Sequence, residues 1–290
     1  MGSFIEGLRE FIELGDDLPT LPHTVLELHA ALEEEHTGDE EIATILERDP
    51  ALTAKLLRVA NSAFYASRAE PVGTVLGAVR RVGVRQVRST CLVLSVVKAF
   101  PSRDGGLNHQ DLWRHSVAVG LTAQLLWKRS GAERNGVNSE DVYVAGLLHD
   151  VGLLVMEQFF SDQFHESRQI QELSGDPLWK SEDLVLGLDH GEIGGILLGR
   201  WRLPPSIVHP VAAHHHPASA PEAWVAAARV VHVAEMLCSS AGVGFDVEGP
   251  SDLNMADAAA SLGMSDNNVE VVLGELVGIG ERAKAFLEAA

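Results

Sequence analysis

Histidines and carboxylates recur in the second half of the sequence, inside or beside helix-like apolar segments. They are Asp111, His115, His149, Asp150, His190, His214, His215 and Glu235. An imidazole or a carboxylate among apolar side chains needs a partner, because burying an unpaired polar group costs free energy. Several such groups that converge inside a helical bundle form a metal site. The sequence therefore predicts a metal centre with nitrogen and oxygen ligands.

The first four of these groups come in two pairs, and each pair also has a simpler interpretation. Asp111 and His115 are four residues apart, so on a helix their side chains share one face. An ordinary Asp–His pair on a helix surface has the same spacing. His149 and Asp150 follow the apolar segment 144–148, and both reach one metal only if the helix end points at it. A buried salt bridge is the alternative, because an aspartate in a core is costly without a partner.

The remaining groups lie near expected helix ends or in an apolar run. His190 begins a glycine-rich helical turn, and by itself it is explained equally well as a satisfied core or surface histidine. His214 and His215 belong to a run of three histidines before Pro217. Two of those rings can face one centre, but an exposed helix end also favours histidine through the helix dipole. Glu235 interrupts a nearly continuous apolar run, where a carboxylate requires a cation or hydrogen-bond donors.

Together these groups supply several imidazoles and three carboxylates. Such a set suits a dinuclear site of Fe, Mn or Zn better than a structural zinc site, which takes four ligands and favours cysteine. Two metal ions can activate a bridging water and hold a phosphate for in-line attack. The pattern therefore predicts a divalent, dinuclear metal cofactor, with Fe, Mn and Zn left open.

The elements that carry these residues are predicted to be helices throughout. Apolar residues recur at helical spacing and strand-like alternation is hard to find, so the predicted fold class is all-α. Proline, charge and glycine at 101–106 indicate a linker. We therefore expect an N-terminal helical part at 1–102, a helical part with the His/Asp/Glu cluster at 103–242, and a C-terminal helical extension at 243–290. Long helices within these parts are predicted at 139–160, 178–201, 252–262 and 265–287.

The composition limits the classes of protein. The 290 residues include 22 basic and 41 acidic side chains, which gives a net charge of −19. This charge argues against a general nucleic-acid binder and against adhesion to an anionic membrane. No apolar run reaches the ~20 residues of a membrane span, and the first residues lack the pattern of a signal peptide. Since Cys91 and Cys238 are also expected to be buried thiols, we expect a cytoplasmic protein.

Seven short motifs are shared with a known family. They are LPTLP at 18–22, ILERDPAL at 45–52, KLLRVANS at 55–62, AVRRVG at 78–83, LWRHS at 112–116, AGLLHDVG at 145–152 and HHHP at 214–217. Together they resemble the HDOD domain (HD-related output domain) of bacterial signalling proteins. The resemblance extends over roughly residues 15–240, which is most of the chain.

This resemblance implies a helical bundle like that of the HD superfamily, related to the HD and HD-GYP metal-dependent phosphohydrolases, and preceded by an N-terminal helical subdomain. It also implies a role in bacterial signal transduction. Many HDOD members have lost the HD metal ligands, whereas this sequence keeps most of them. The HD-GYP pattern assigns metal ligands to His115, His149, Asp150, His190, His214, His215 and Glu235, and some members carry a further carboxylate at the place of Asp111.

Three departures separate the sequence from the HD-GYP phosphodiesterases. Leu153 replaces the lysine that follows the His-Asp doublet and holds substrate phosphate. Glu235 replaces the closing aspartate, and residues 216–220 replace the Gly-Tyr-Pro segment. The resemblance therefore implies a signalling domain that acts by protein interaction and retains a metal site. Two alternatives stay open: a metal-dependent phosphohydrolase of a nucleotide or other phosphorylated ligand, with Asp150 as the catalytic group, and a diiron sensor of oxygen or redox state.

The expected partners follow from the same resemblance. They are signalling proteins in cyclic-dinucleotide or two-component pathways, and a second copy of the chain in a homodimer. The acidic charge argues against nucleic acid and membrane as partners.

Overall fold

The structure, a computed structural model, is helical. It describes residues 2–33, 37–66, 70–102, 106–130, 136–243, 257 and 260–289. Every regular element within these ranges is an α-helix or a short 3-10 helix, so the predicted all-α fold class is confirmed. The predicted linker at 101–106 and the predicted helix at 252–262 lie largely outside the described residues.

The α-helices are numbered here in chain order. They are α1 (Gly2–Leu14), α2 (His23–Glu33), α3 (Asp39–Leu46), α4 (Pro50–Ala60), α5 (Ala63–Ala66), α6 (Val75–Val82), α7 (Val84–Ala99), α8 (His109–Arg129), α9 (Ser139–Leu148), α10 (Val151–Phe159), α11 (Ser161–Ser174), α12 (Leu178–Leu186), α13 (His190–Arg200), α14 (Pro205–Ala212), α15 (Val225–Ser240) and α16 (Asp266–Leu287). Two short 3-10 helices lie between α14 and α15, at Pro217–Ser219 and Glu222–Trp224.

The chain divides into two compact units. The larger unit comprises Met1–Leu18 and Ser102–Gly280, and the smaller unit comprises Pro19–Pro101 and Glu281–Ala290. This division differs from the predicted segments at both ends, because α1 belongs with the larger unit and the end of α16 belongs with the smaller unit. All the predicted site residues lie in the larger unit.

In the smaller unit, two helices begin where the sequence places capping residues. The Asp49 carboxylate accepts a hydrogen bond from the Leu52 amide at 3.0 Å, which caps α4. The Thr74 hydroxyl accepts one from the Gly77 amide at 3.1 Å, which caps α6. Gly83 ends α6 with a left-handed φ of 88°, a conformation that favours glycine. The starts of α4 and α6 and the end of α6 are therefore explained by residues within a few positions of them.

The continuous helix predicted at 139–160 is wrong, because the chain forms two helices there. α9 ends and α10 begins around His149 and Asp150, and the Leu153 amide donates to the Asp150 carbonyl at 3.0 Å in the first turn of α10. The side chains of adjacent residues in one straight helix diverge by ~100°. A junction at the doublet removes this restriction and lets both side chains face the same centre.

The continuous helix predicted at 178–201 is wrong as well. Gly187 adopts a left-handed φ of 74° and ends α12. Asp189 then starts α13 by a capping box, in which its carboxylate accepts a hydrogen bond from the Glu192 amide at 2.8 Å. The interruption makes His190 the first residue of a new helix and turns it into the interior.

Glycines allow close contacts between the helices that carry the site. A Cβ atom on Gly146 of α9 would lie 2.9 Å from the Cα of Gly120 on α8. A Cβ atom on Gly152 of α10 would lie 1.9 Å from the carbonyl oxygen of His190 on α13. Any larger side chain would therefore push these helices apart.

One segment, Ser139–Phe159, is long and apolar enough to cross a membrane by length and composition alone. In the structure 89% of its most apolar window is buried. It forms α9 and α10, which belong to the core of the larger unit. Burial of this kind is typical of a core helix, so the segment gives only weak support for a membrane span.

Candidate metal centre

Several elements of the larger unit bring the predicted ligands together. The ligands lie in the middle of α8 (His115), at the α9–α10 junction (His149 and Asp150), at the start of α13 (His190), just after α14 (His214 and His215) and within α15 (Glu235). Four imidazoles form a row of neighbours with ring centroids 5.2–5.3 Å apart, in the order His115, His149, His214 and His190. Residues far apart in the sequence thus converge in one cluster.

Three of these residues, His115, His149 and Asp150, form a first ligand group, here called the carboxylate triad. Each offers one ligand atom, and these atoms lie within 4.8 Å of one another. The two imidazoles are fully buried, and the carboxylate is 2% exposed. Two nitrogens and one carboxylate oxygen form a donor set that suits iron, manganese or zinc.

A second ligand group, here called the histidine triad, consists of His190, His214 and His215. Its ligand atoms also lie within 4.8 Å of one another. The Oδ1 atom of Asp150 lies 3.1 Å from Nε2 of His149 and 3.4 Å from Nε2 of His190. The carboxylate therefore lies between a nitrogen of one triad and a nitrogen of the other.

Hydrogen bonds at Nδ1 fix which nitrogen each ring turns inward. Nδ1 of His149 donates to the Gly146 carbonyl at 2.8 Å, and Nδ1 of His214 donates to the Val211 carbonyl at 2.7 Å. A carbonyl oxygen only accepts, so in each ring the proton is on Nδ1 and Nε2 keeps its lone pair. Nδ1 of His115 faces a third carbonyl in the same way, at 3.3 Å. Metal-binding histidines are commonly oriented by such bonds.

The inward-facing atoms are buried without hydrogen bonds. Nε2 of His115, His149 and His214, and Oδ2 of Asp150, have no hydrogen-bond partner among the described residues. Leaving one buried polar atom unsatisfied costs ~1–3 kcal/mol, and here several such atoms face one another. A metal ion bound by these atoms would remove that cost, so the residues fit a metal centre.

The protonation states favour a cation in the cluster. Burial lowers the pKa of His149 to about 4, although the Asp150 carboxylate opposes this shift. Burial also lowers the pKa of three further rings, those of His115, His214 and His215. Burial alone would raise the pKa of Asp150, but the neighbouring imidazoles lower it below its usual range. Near pH 7 the cluster therefore combines neutral imidazoles with a carboxylate anion.

Two predicted carboxylate ligands lie outside both triads. Glu235 is buried, and its Oε2 atom lies 4.0 Å from Nε2 of His214, so it borders the histidine triad. Asp111 lies in the first turn of α8, where it pairs with Arg114 at 2.9 Å and accepts a hydrogen bond from Asn108. With its side chain 37% exposed, Asp111 lies on the helix surface, but its ion pair is with Arg114 and not with the buried His115, so the simpler interpretation as an Asp111–His115 surface pair is wrong as well.

One further residue at the site, Glu182, was not predicted from the sequence. It lies on α12, is fully buried, and accepts a hydrogen bond from Nδ1 of His190 at 2.7 Å. It stands in the polar stretch 180–183, which reads as a solvated helix face. Only the interruption between α12 and α13 brings it beside His190, so helical periodicity could not have identified it.

The chain is similar to two solved structures and to one further protein. The structure of an HDOD domain protein with unknown function from Geobacter sulfurreducens is 28% identical, with a TM-score of 0.80 over 98% of each chain. A candidate phosphohydrolase from Shewanella amazonensis is 25% identical, with a TM-score of 0.74 over 98% of each chain. An uncharacterized protein of Treponema pallidum is 28% identical over 209 residues, which are 72% of this chain but only 40% of that protein.

The family assignment rests on the length of the sequence match. The HDOD domain matches residues 18–217, which is more than half of the chain, and the predicted resemblance is confirmed. The matched range begins at the LPTLP motif and ends at the HHHP motif. The chain belongs to the HDOD domain family.

Proposed function

We propose that this HDOD chain is a regulatory domain of bacterial signal transduction whose larger unit holds a dinuclear metal centre. The observation that carries the proposal is the set of buried Nε2 atoms that face the Asp150 carboxylate without hydrogen bonds. Family membership supports the signalling role, and the donor chemistry supports the metal.

Each triad would bind one of the two metal ions. His115, His149 and Asp150 would hold one ion, and the three rings of the histidine triad would hold the other. Asp150 is placed to contact both, since its Oδ1 atom lies between nitrogens of the two triads. When bound, iron, manganese or zinc would supply Lewis-acid chemistry, and iron or manganese would add redox chemistry.

A buried leucine favours regulation over phosphate hydrolysis. Leu153 lies on α10, three residues after Asp150, and is fully buried. It occupies the place at which the related phosphodiesterases carry a phosphate-binding lysine. An aliphatic side chain offers no charge to a transferring phosphoryl group, and such charges supply much of the rate acceleration in this class of reaction.

A metal-dependent phosphohydrolase is the second candidate. It is supported by the likeness to the Shewanella amazonensis candidate phosphohydrolase, at 25% identity and a TM-score of 0.74. It is also supported by the donor set, because two metal ions suit the hydrolysis of phosphate esters. In this function Asp150 would be a catalytic group as well as a ligand.

Metal uptake and hydrolysis can be measured on the same protein. Chelator-treated protein is titrated with Zn²⁺ or Mn²⁺ and then assayed with bis(p-nitrophenyl) phosphate and with cyclic dinucleotides, alongside Asp150→Asn. We expect two equivalents of metal in the wild type, weaker binding in Asp150→Asn, and no difference in turnover between the two. Turnover that disappears in Asp150→Asn would establish the phosphohydrolase instead, and no uptake would refute the metal centre.

The proposed signalling role includes a protein partner in the cytoplasm. The cytoplasmic location is supported by Cys91 and Cys238, which are buried and form no disulfide. We expect a strain carrying His149→Gln to show the transcript changes of a deletion strain. His165→Gln is the matched control, because His165 is exposed on α11 and lies in neither triad. A His149→Gln strain that behaves like the wild type would separate signalling from the metal centre.

A further inference from the structure

The histidine that starts α13 is held by a buried carboxylate. Glu182 is fully buried, and its Oε2 atom accepts a hydrogen bond from Nδ1 of His190 at 2.7 Å and another from the His190 main-chain amide at 2.9 Å. Both donors belong to the same residue and meet at the same oxygen. This arrangement fixes the imidazole ring relative to its own backbone, which leaves little rotational freedom at χ1.

The same contact determines the tautomer of His190. A carboxylate oxygen accepts this hydrogen bond, so Nδ1 of His190 donates it and carries a proton. Nε2 then carries the lone pair and points to the cluster, where it lies 3.4 Å from Oδ1 of Asp150. Without Glu182, the ring could place its proton on Nε2 and turn an N–H group toward the cluster.

His190 differs from its neighbours in the charge of its hydrogen-bond acceptor. Nδ1 of His149 and Nδ1 of His214 donate to neutral backbone carbonyls, whereas Nδ1 of His190 donates to a carboxylate. A hydrogen bond to a charged acceptor is roughly twice as strong as one between neutral groups. It also makes the opposite nitrogen a stronger electron donor to a metal.

We propose that Glu182 is a positioning residue of the metal centre, which turns Nε2 of His190 inward and strengthens it as a ligand. This inference rests on the proposed metal function and adds a residue to it. Both hydrogen bonds that Glu182 accepts come from His190, so it acts on the metal centre through that residue.

A second buried pair in the larger unit provides a matched control. Glu157 is 5% exposed, and its Oε2 atom lies 2.7 Å from Nε2 of His109. This pair has the same chemistry as Glu182 and His190, but neither of its members belongs to a triad. Glu157→Gln therefore removes a buried carboxylate from a His–Glu pair without touching the cluster.

The experiment compares Glu182→Gln, Glu182→Ala and Glu157→Gln with the wild type. Two-bond ¹H–¹⁵N spectra of metal-free, ¹⁵N-histidine-labelled protein report which ring nitrogen carries the proton, and His190→Gln assigns the signal. Zn²⁺ dissociation constants are then measured by chelator competition. Glutamine is nearly the same size as glutamate, and its amide oxygen can accept both hydrogen bonds, so it removes the charge while keeping the orientation.

We expect the Nδ1–H tautomer of His190 in the wild type and in Glu182→Gln, and a mixture of tautomers in Glu182→Ala. Zn²⁺ affinity should fall about 10-fold in Glu182→Gln and about 100-fold in Glu182→Ala, and it should not change in Glu157→Gln. An unchanged tautomer in Glu182→Ala, or an equal loss of affinity in Glu157→Gln, overturns the inference. A wild type that binds no Zn²⁺ refutes the proposed metal function, and the tautomer still decides the role of Glu182.

Discussion

Acid should destabilise the metal-free protein through His149. Burial lowers the pKa of this imidazole from 6.5 to about 4 in the folded state. Between these two values the unfolded chain binds a proton at this position and the folded chain does not. The contribution of His149 to stability is therefore complete above pH 6.5 and is lost as the pH falls toward 4.

The size of the effect follows from the two pKa values. For a single group that titrates at 6.5 in the unfolded state and about 4 in the folded state, the free energy of unfolding falls by about 2 kcal/mol between pH 7 and pH 5. At pH 4 the loss reaches about 3 kcal/mol. The buried rings of His115, His214 and His215 shift in the same direction and add to the total.

Urea unfolding isolates the part that belongs to His149. The free energy of unfolding is measured for chelator-treated wild type and His149→Gln at pH 7, 6 and 5. Glutamine does not titrate, so between pH 7 and pH 5 the variant should lose about 2 kcal/mol less than the wild type. Equal losses in the two proteins would refute the reasoning, since they would show that His149 titrates alike in the folded and unfolded states.

Four further predictions concern the ligands and the packing behind them. Gly152→Ala should lower the unfolding free energy by about 1–3 kcal/mol in a urea titration, because its Cβ would meet the His190 carbonyl at 1.9 Å. Gly199→Ala, also on a site helix but with open space around its Cβ, should raise it by about 0.5–1 kcal/mol. Metal at 100 times its dissociation constant should stabilise the wild type by about 2.7 kcal/mol for each bound ion in the same titration. Asp150→Asn should lose most of that stabilisation, because Asp150 lies between the two triads.

Local signals in the sequence predicted part of the fold. Asp49 and Thr74 have side chains that favour the first position before a helix, and they cap α4 and α6, because a capping residue acts on amides two or three positions away. The all-α class was predicted from helical periodicity, which is also a local property of the sequence because it repeats every three or four residues. The α1 helix, Gly2–Leu14, was not predicted.

The interruptions within the larger unit were harder to predict. The segment 139–160 is apolar across its break, so its pattern alone predicts one helix. The break within 178–201 has local signals, Gly187 and the Asp189 capping box, which a prediction from helical spacing overlooks. The break at His149 and Asp150 depends on contacts with other helices, such as the close approach of Gly152 to α13. Contacts between distant parts of the chain do not change the periodicity of the sequence, so periodicity cannot predict a break that depends on them.

The site residues were also predictable only where signals in the sequence identified them. The histidines and Asp150 were found because imidazoles and a carboxylate among apolar residues need partners, and because their order resembles that of the HD superfamily. The same reasoning could not separate Asp111, which pairs with Arg114 on the helix surface, from a ligand. It also missed Glu182, whose role depends on the turn between α12 and α13.

The metal content of the isolated protein is the sharpest test of the proposed dinuclear centre. Tag-free wild type, His149→Gln and His165→Gln are purified anaerobically without added metal and examined by elemental analysis. We expect about two equivalents of iron, manganese or zinc per chain in the wild type and in His165→Gln, and clearly less in His149→Gln. A wild type that contains no metal and takes up none on titration would contradict this proposal, and the buried imidazoles would then serve the fold alone.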